Sequence, residues 1–440
     1  MKPIRLITLA PGHFHAALVQ KEMQAEIHPR CYVYGPLDAD TLAHLERLTA
    51  FNSRDESPTQ WQVDLRGGQD WLERFVREQP GNTVVLSGRN RGKMDLLMTS
   101  VTNGLNVLAD KPWIIEPADF PRLEDMYREA ELREIIVRDV MTERHEITNR
   151  ILRELVRDPE IFGAWQAGTP RHPALVIESV HHLRKTVAGR PLRRPWWWFV
   201  PAISGHSIAD VGTHLADLAL WLVAPNHPVD YRTDIQMMDA EMWPLVVSDD
   251  QFREVTGLEE YPAELKTQTA NGQLYYPGNS STRFTLHGVE VRLTTQWEYE
   301  AEAGGDIHHT TASGTRARIQ VRQRPGTPPG LYLTALGGIE HASLLNLLTR
   351  KCQTWNDQFP SLTVEDGGSE IHIAIPAELR SGHEAHFAAV LREYVRDFYN
   401  PRAIPSWERP NTLAKYFITT KAVELARQIR AERAGPHSSV

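Results

Sequence analysis

The alternation of short apolar runs with helix-like stretches through residues 4–139 constrains this chain most. Ile4-Arg-Leu-Ile-Thr-Leu-Ala10 reads as a buried strand ended by Pro11-Gly12. A helix with Ala16, Ala17, Leu18 and Met23 on its apolar side opens near Phe14. Cys31–Tyr34, Thr83–Ser87, Leu105–Leu108 and Ile135–Asp139 repeat the strand signal, with helical stretches at 70–78 and 93–103. Gly104 closes the second of these, where glycine takes a left-handed cap most easily. Strands separated by helices require crossover connections, which build a parallel sheet covered on both faces. Past a long helix expected at 143–156 the pattern changes. Arg283–His287, Val289–Leu293 and Arg316–Val321 alternate polar with apolar residues, as strands of a largely antiparallel sheet do. A final amphipathic helix is expected over 413–434. The expected fold is α/β in two domains, 1–142 and 143–440, the second an α+β body with an open, largely antiparallel sheet.

A length of 440 residues suits two domains, and 41% hydrophobic with 24% charged residues is a globular balance. The net charge of −8 argues against a nucleic-acid partner. No apolar run approaches the ~20 residues that cross a bilayer, so no membrane partner is expected. The N-terminus enters a strand at once and lacks a charged leader and cleavage site, which predicts no secretory signal. Two cysteines, Cys31 and Cys352, build neither a disulfide framework nor a four-thiolate metal site, and a cytoplasmic location is expected.

A strand, a tight turn at Gly12 and a helix from Phe14 would aim backbone amides at an anion. In a Rossmann-type domain that anion is a dinucleotide pyrophosphate. Of the pattern G-x-G-x-x-G only the middle glycine is present, with Ala10 and His15 at the outer positions. The second strand ends at Tyr34-Gly35-Pro36 without an acidic residue for a ribose; Asp38 is either a substitute or a turn former. Asp110-Lys111-Pro112 follows the strand Leu105–Leu108, and carboxyl ends of parallel strands are where ligands bind. A lysine there can stabilise a developing alkoxide, or simply be solvated. Asp210 and His214 stand four apart, on one face of a helix whose other side buries Leu215, Leu218, Ala219 and Leu222. Such a pair suits proton transfer from an alcohol and equally suits a surface pair or cap. Arg193-Arg-Pro-Trp-Trp-Trp-Phe199 fits packing or a sugar face.

Taken together, these motifs resemble the Gfo/Idh/MocA oxidoreductases, and more narrowly the branch with a distinct "putative oxidoreductase" C-terminal domain. The matching stretches are Pro11–Gln20, Asn106–Pro112, Asp139–Ile147, Glu178–His182 and Asp210–Asp217. The resemblance implies catalytic roles for Lys111, Asp210 and His214. His214 would take a hydroxyl proton, Lys111 would polarise that oxygen, and Asp210 would position substrate or imidazole. It implies NAD or NADP as cofactor, held by Pro11, Gly12, His13, Phe14, His15, Ser87, Gly88, Asn90, Asp110 and Lys111. It further implies a substrate cleft with Arg144, His181, His182 and Trp197; of the adjacent histidines, strand alternation turns at most one inward. Asp110 stands where the family carries glutamate, and the outer glycines are missing. No metal is expected.

The implied activity is hydride transfer between nicotinamide and a hydroxyl-bearing carbon of a cyclic polyol, sugar or glycoside. Two alternatives stay open: an NAD-dependent glycosidase working by transient oxidation and elimination, and a cofactor-binding sensor without turnover. By analogy with the superfamily a homo-oligomer, dimer or tetramer, is expected.

Overall fold

The computed structural model describes residues 2–187, 190–301 and 305–434, which fall into two compact units. The first is the chain up to Thr142 together with Pro195–Gly205 and His383–Leu413. Its sheet has six parallel strands: β1 (Leu6–Leu9), β2 (Arg30–Gly35), β3 (Gln62–Gly67), β4 (Thr83–Leu86), β5 (Asn106–Ala109) and β6 (Val137–Asp139). The order is β3-β2-β1-β4-β5-β6, the doubly wound Rossmann arrangement. Every residue of β1 and β4 is buried, which is why both read as unbroken apolar runs. The helices α1 (His15–Leu18), α2 (Ala39–Ser53), α3 (Trp71–Glu78), α4 (Lys93–Thr102) and α5 (Phe120–Leu132) connect them. Two sequence expectations change. β3 was not anticipated, because this edge strand exposes residues on both faces and carries polar side chains. α1 is a single turn that stops well before Met23.

The second unit holds Glu143–Arg194, His206–Gly382 and the chain from Ala414. The helix expected at 143–156 starts later: Thr142–His145 is a 3-10 turn, and α6 (Ile147–Arg157) follows with Glu146 as its N-cap, accepting from the Asn149 amide at 3.0 Å. The large sheet is built from β7 (Leu175–Arg184), β10 (Ile235–Ser248), β12 (Gln273–Leu286), β13 (Val289–Glu300), β14 (Ile307–Ser313), β15 (Ala317–Arg322), β16 (Gly330–Ala335), β17 (Thr363–Asp366) and β18 (Ile371–Ala374). Their order is β10-β12-β13-β7-β14-β15-β16-β18-β17, and the two-residue β11 (Thr269–Ala270) pairs with β12. Only β7 and β13 run parallel; every other pair is antiparallel. A small hairpin, β8 (Thr186–Val187) and β9 (Arg190–Pro191), follows β7.

After the one-turn α7 (Pro201–Ser204) of the first unit comes α8 (Val211–Val223), packed on β7 and β13. Twelve of its thirteen residues are buried, so it is a core helix rather than an amphipathic surface one. The later helices are α9 (Asp249–Thr256), α10 (His341–Thr354), α11 (His383–Tyr399) and α12 (Glu408–Ala434). α11 belongs to the first unit. Phe387, Val390, Leu391, Tyr394 and Val395, at helical spacing, share one core with Ile4, Leu6, Val85, Leu108 and Val140. The chain therefore crosses between the units more often than a single boundary after residue 142 requires. Among the described residues no helix is long and apolar enough to cross a membrane.

Candidate functional site

In the first unit the strand order reverses between β1 and β4, and ligands of open α/β sheets bind outside the carboxyl ends at that point. Residues 10–15, 87–90 and 110–112 leave the sheet there. Ala10 adopts φ +42°, the left-handed conformation that a glycine takes without cost, and its amide donates to Tyr34 O at 2.7 Å. The amides of Gly12 and His13 donate to Ser87 O at 3.1 and 3.2 Å. Two amides expected to face an anion are thus spent on the sheet. Gly88 is required for this closeness, since a Cβ there would lie 2.3 Å from Ala10 O.

A buried polar cluster sits behind the turn. Asp110 Oδ2 accepts from Ser87 Oγ at 2.8 Å and lies 2.9 Å from His15 Nδ1 and 3.5 Å from His13 Nδ1. Burial works against the Asp110 carboxylate, but His15 and His13 outweigh it and hold its pKa well below the usual range. His13 is pushed down to about 3, by burial first and by His15 next, so it is neutral at pH 7. The donor atoms of His13, His15 and Asp110 lie within 4.8 Å of one another. These are metal-ligating residue types, and the Ser87 hydroxyl donates to one of the two carboxylate oxygens. His15 also packs its ring on Phe387 at 4.6 Å, and Phe14 packs against the core that contains Phe387. Pro11 is buried beside Gly35.

Lys111 is buried, and its peptide with Pro112 is cis. The loop that carries it is tied down by a residue the sequence reading missed. Lys93, 2% exposed at the start of α4, donates from Nζ to Asn90 Oδ1 at 2.6 Å, Asp110 O at 2.9 Å and Pro112 O at 3.0 Å. Asn90 in turn donates to Ser204 O at 2.6 Å, so it is a fastening between loops. Trp197 Nε1 donates to Asp40 Oδ2 at 2.9 Å, and its ring stands 3.4 Å from where a Gly12 Cβ would be. The tryptophan expected at a substrate therefore stands against the dinucleotide turn of its own unit. Asp38 accepts from the Thr41 amide at 3.0 Å and caps α2, the turn-forming alternative. The carboxyl ends of β1 and β4 at the switch point, and the close approach that Gly88 allows there, fit a dinucleotide.

In the second unit a cavity is lined by Glu143, Glu146, Thr148, Asn149, Ser179, His181, His214, His308 and Thr310, with Ile177, Val211, Leu215, Leu218 and Val321 as its apolar wall. Alternation along β7 puts Ile177, Ser179 and His181 on this face. His182 does not line it: buried at 2%, it lies 3.6 Å from Glu298 and from Asp306. Asp210 is the N-cap of α8, outside the helix proper, and does not line the cavity as His214 does. Its charge acts on Lys185, Arg194 and Tyr276. Arg144 makes a two-pronged ion pair with Asp217, both contacts 2.6 Å, and Lys415 reaches Asp217 at 3.1 Å. Burial opposes the Asp217 charge, but Arg144 and Lys415 hold its pKa far below the usual range. That engagement is a structural one, and a substrate contact by Arg144 would have to be made from within it.

Residues 151–427 match the family model described as "Putative oxidoreductase C terminal domain". A "putative oxidoreductase" from Parabacteroides merdae is 37% identical, with 97% of this chain and 98% of that one covered and a TM-score of 0.94. Levoglucosan dehydrogenase in complex with NADH and levoglucosan shares the fold at 11% identity, with a TM-score of 0.60 and coverage of 97% and 98%. GenD2 from gentamicin A biosynthesis, in complex with NAD, does so at 11% identity, with a TM-score of 0.59 and coverage of 98% and 95%. No curated protein matches the sequence.

Proposed function

Since the chain belongs to the Gfo/Idh/MocA-type oxidoreductases that carry this C-terminal domain, we propose that it is an NAD(P)-dependent oxidoreductase acting on a hydroxyl-bearing carbon of a cyclic polyol, sugar or glycoside. The observation that carries this reading is the second-unit cavity. It offers three imidazoles, two carboxylates and three hydroxyls around a small apolar wall, a lining suited to a ligand dense in hydroxyl groups. The solved complexes with NAD, and with NADH and levoglucosan, support the choice of cofactor and of substrate class.

Bound nicotinamide supplies the acceptor for hydride; the protein supplies binding and proton transfer. Pro11, Gly12, His13, Phe14, His15, Ser87, Gly88, Asn90, Asp110 and Lys111 hold the cofactor. Lys111 makes a polar contact, while Ser87, His15, Asp110 and Asn90 keep the three loops in register. His214 accepts the hydroxyl proton. The Lys111 ammonium stabilises the alkoxide as it forms. Asp210 positions the substrate or the imidazole. Among the residues expected at the substrate, His181 meets it directly and Arg144 and His182 brace the cavity, while Trp197 covers the cofactor turn. Copies of the chain assemble into a homo-oligomer, a dimer or tetramer.

A cofactor-reduction screen with NAD and NADP against polyols, free sugars and glycosides, with mass analysis of the products, tests the reading. On the substrate so found, Lys111→Ala and His214→Ala should each lower turnover by at least 100-fold, the usual scale of a lost acid–base or electrostatic group. Near-normal turnover in either variant refutes its role. Failure to bind either dinucleotide refutes the whole proposal.

A further inference from the structure

The antiparallel pairing of β7 with β14 sets Ser179 opposite His308 and Val180 opposite Ile307, so the same register continues from His181 to Asp306. Side chains directly across an antiparallel pair share a face, and so do residues two apart on one strand. Ser179, His181 and His308 consequently meet on the cavity side. Ser179 Oγ lies 2.7 Å from His181 Nε2 and 3.0 Å from His308 Nδ1, and His181 Nδ1 lies 2.9 Å from Asp306 Oδ2. Ser179 itself is 1% exposed.

We propose that Asp306, His181, Ser179 and His308 form a proton relay opening on the second-unit cavity, an acid–base group distinct from His214. The inference rests on the oxidoreductase reading for the step it serves. In the resting state Asp306 accepts from His181 Nδ1–H, the Ser179 hydroxyl donates to His181 Nε2, and His308 Nδ1–H donates to Ser179 Oγ. His308 Nε2 is then the basic atom presented to a substrate hydroxyl. For a hydroxyl presented to this corner instead of to His214, oxidation passes the hydroxyl proton to His308 Nε2, the His308 Nδ1 proton to Ser179 Oγ, and the Ser179 proton to His181 Nε2. The O–H electron pair becomes the second bond of the new carbonyl as hydride leaves the carbon for the oxidised nicotinamide. His181 ends as an imidazolium beside the Asp306 carboxylate, and every bond broken has a matching bond formed.

The surroundings suit a base that is empty at neutral pH and can be charged transiently. Burial lowers the His181 pKa, against the pull of Asp306, and Lys185 and His308 lower it further. Asp306 is held ionised: His181, His182 and Lys185, the last at 2.6 Å, together outweigh its burial. The remaining groups facing this corner are Trp297 of β13, whose ring lies 5.0 Å from that of His181, Glu298 near His182, and Arg194 and Asp210, whose charges act on Asp306 and Lys185 respectively. Glu143, Glu146 and His214 line the same cavity.

Long-range proton–nitrogen spectra of the full-length protein labelled with 15N-histidine read tautomer and protonation without any substrate. The relay requires His181 protonated on Nδ1 with Nε2 bare, and His308 protonated on Nδ1, at pH 7.5. Ser179→Ala should cut the link and shift the His181 midpoint by at least half a pH unit, whereas Ser179→Thr, which keeps the hydroxyl, should restore it. His181 protonated on Nε2, or unchanged titrations in Ser179→Ala, would overturn the relay. On a substrate found by the screen, Ser179→Ala should lower the rate at least tenfold and remove one ionisation from the pH profile, while cofactor affinity is unchanged. Rapid covalent labelling of Ser179 by a sulfonyl fluoride would also overturn it, by marking a nucleophile instead. A screen without any redox substrate refutes the oxidoreductase reading alone, because the spectra still decide whether the relay exists.

Discussion

Replacing Lys93 by methionine tests whether one buried ammonium holds the loop of Lys111. Lys93 Nζ makes three hydrogen bonds, two of them to the carbonyls of Asp110 and Pro112 that flank Lys111. Hydrogen bonds to a charged group contribute about 1.5–3 kcal/mol each, giving a gross loss of roughly 4.5–9 kcal/mol. Against this stands the desolvation of an ammonium that is 2% exposed, which costs several kcal/mol and vanishes in the variant. Methionine fills most of the space of the lysine stem. The net loss is therefore about 3 kcal/mol, which for a unit of this size lowers the midpoint of its thermal transition by roughly 6–12 °C. Scanning calorimetry reads that shift, and dinucleotide titration of the folded variant reads the loop. Affinity should fall at least tenfold as Lys111 loses its fixed position. A midpoint within 1 °C of the parent, with unchanged affinity, would show that the loop does not depend on Lys93.

In the second unit, Asp217→Asn removes the charge on which both Arg144 and Lys415 converge. Breaking a buried ion pair from one side costs about 3–5 kcal/mol, so calorimetry should show the second unit's transition falling by on the order of 10 °C; a shift under 2 °C would make the triad neutral to stability. His44 gives a pH prediction. Its ring is buried, neither nitrogen finds a hydrogen-bond partner, and burial, with a smaller push from Arg47, lowers its pKa to about 3. The unfolded chain binds this proton near 6.5 and the folded one only near 3, so the stability is complete above 6.5 and drains away as pH falls between those values. His44→Leu should therefore lose about 2 kcal/mol less than the parent between pH 7.5 and pH 5, read from denaturation midpoints at both pH values. Equal losses would place the acid sensitivity elsewhere.

The parallel half of the fold was legible because its strands are buried on both faces and so announce themselves as apolar runs. β3 escaped for the opposite reason: Gln62, Val63 and Leu65 are exposed at the sheet edge, and the segment mimics a loop. The antiparallel hairpin of β12 and β13 was visible in its alternation, whereas the parallel pairing of β7 with β13 joins strands more than a hundred residues apart and leaves no local mark. Site residues divide in the same way. Gly12, Ser87 and Lys111 follow strand ends and could be found by counting elements. Ser179 and His308 face each other only through the register of β7 on β14, and Asp306 joins them one step further along. A serine two residues before a histidine on a strand was the single available hint, and alternation alone does not say what stands across from it. Lys93 looked like an ordinary helix start, and only burial reveals its task.

The missing outer glycines and the buried histidines of the first turn have one physical explanation. A glycine-rich turn leaves its amides free and lets a pyrophosphate approach the backbone. Here the turn is drawn into the sheet: Ala10 donates to β2 at Tyr34, and Gly12 and His13 donate past the end of β4 at Ser87. Ala10 accepts a left-handed φ to do so, at a cost of about 1–2 kcal/mol. Those three amides are therefore spent, and beside them the side chains of Ser87, His13 and His15 surround a carboxylate that is kept ionised. Burial keeps the His13 imidazole uncharged at neutral pH while Asp110 stays ionised, so the cluster fastens the loops after β1, β4 and β5 to one another through His15, Ser87 and Asp110.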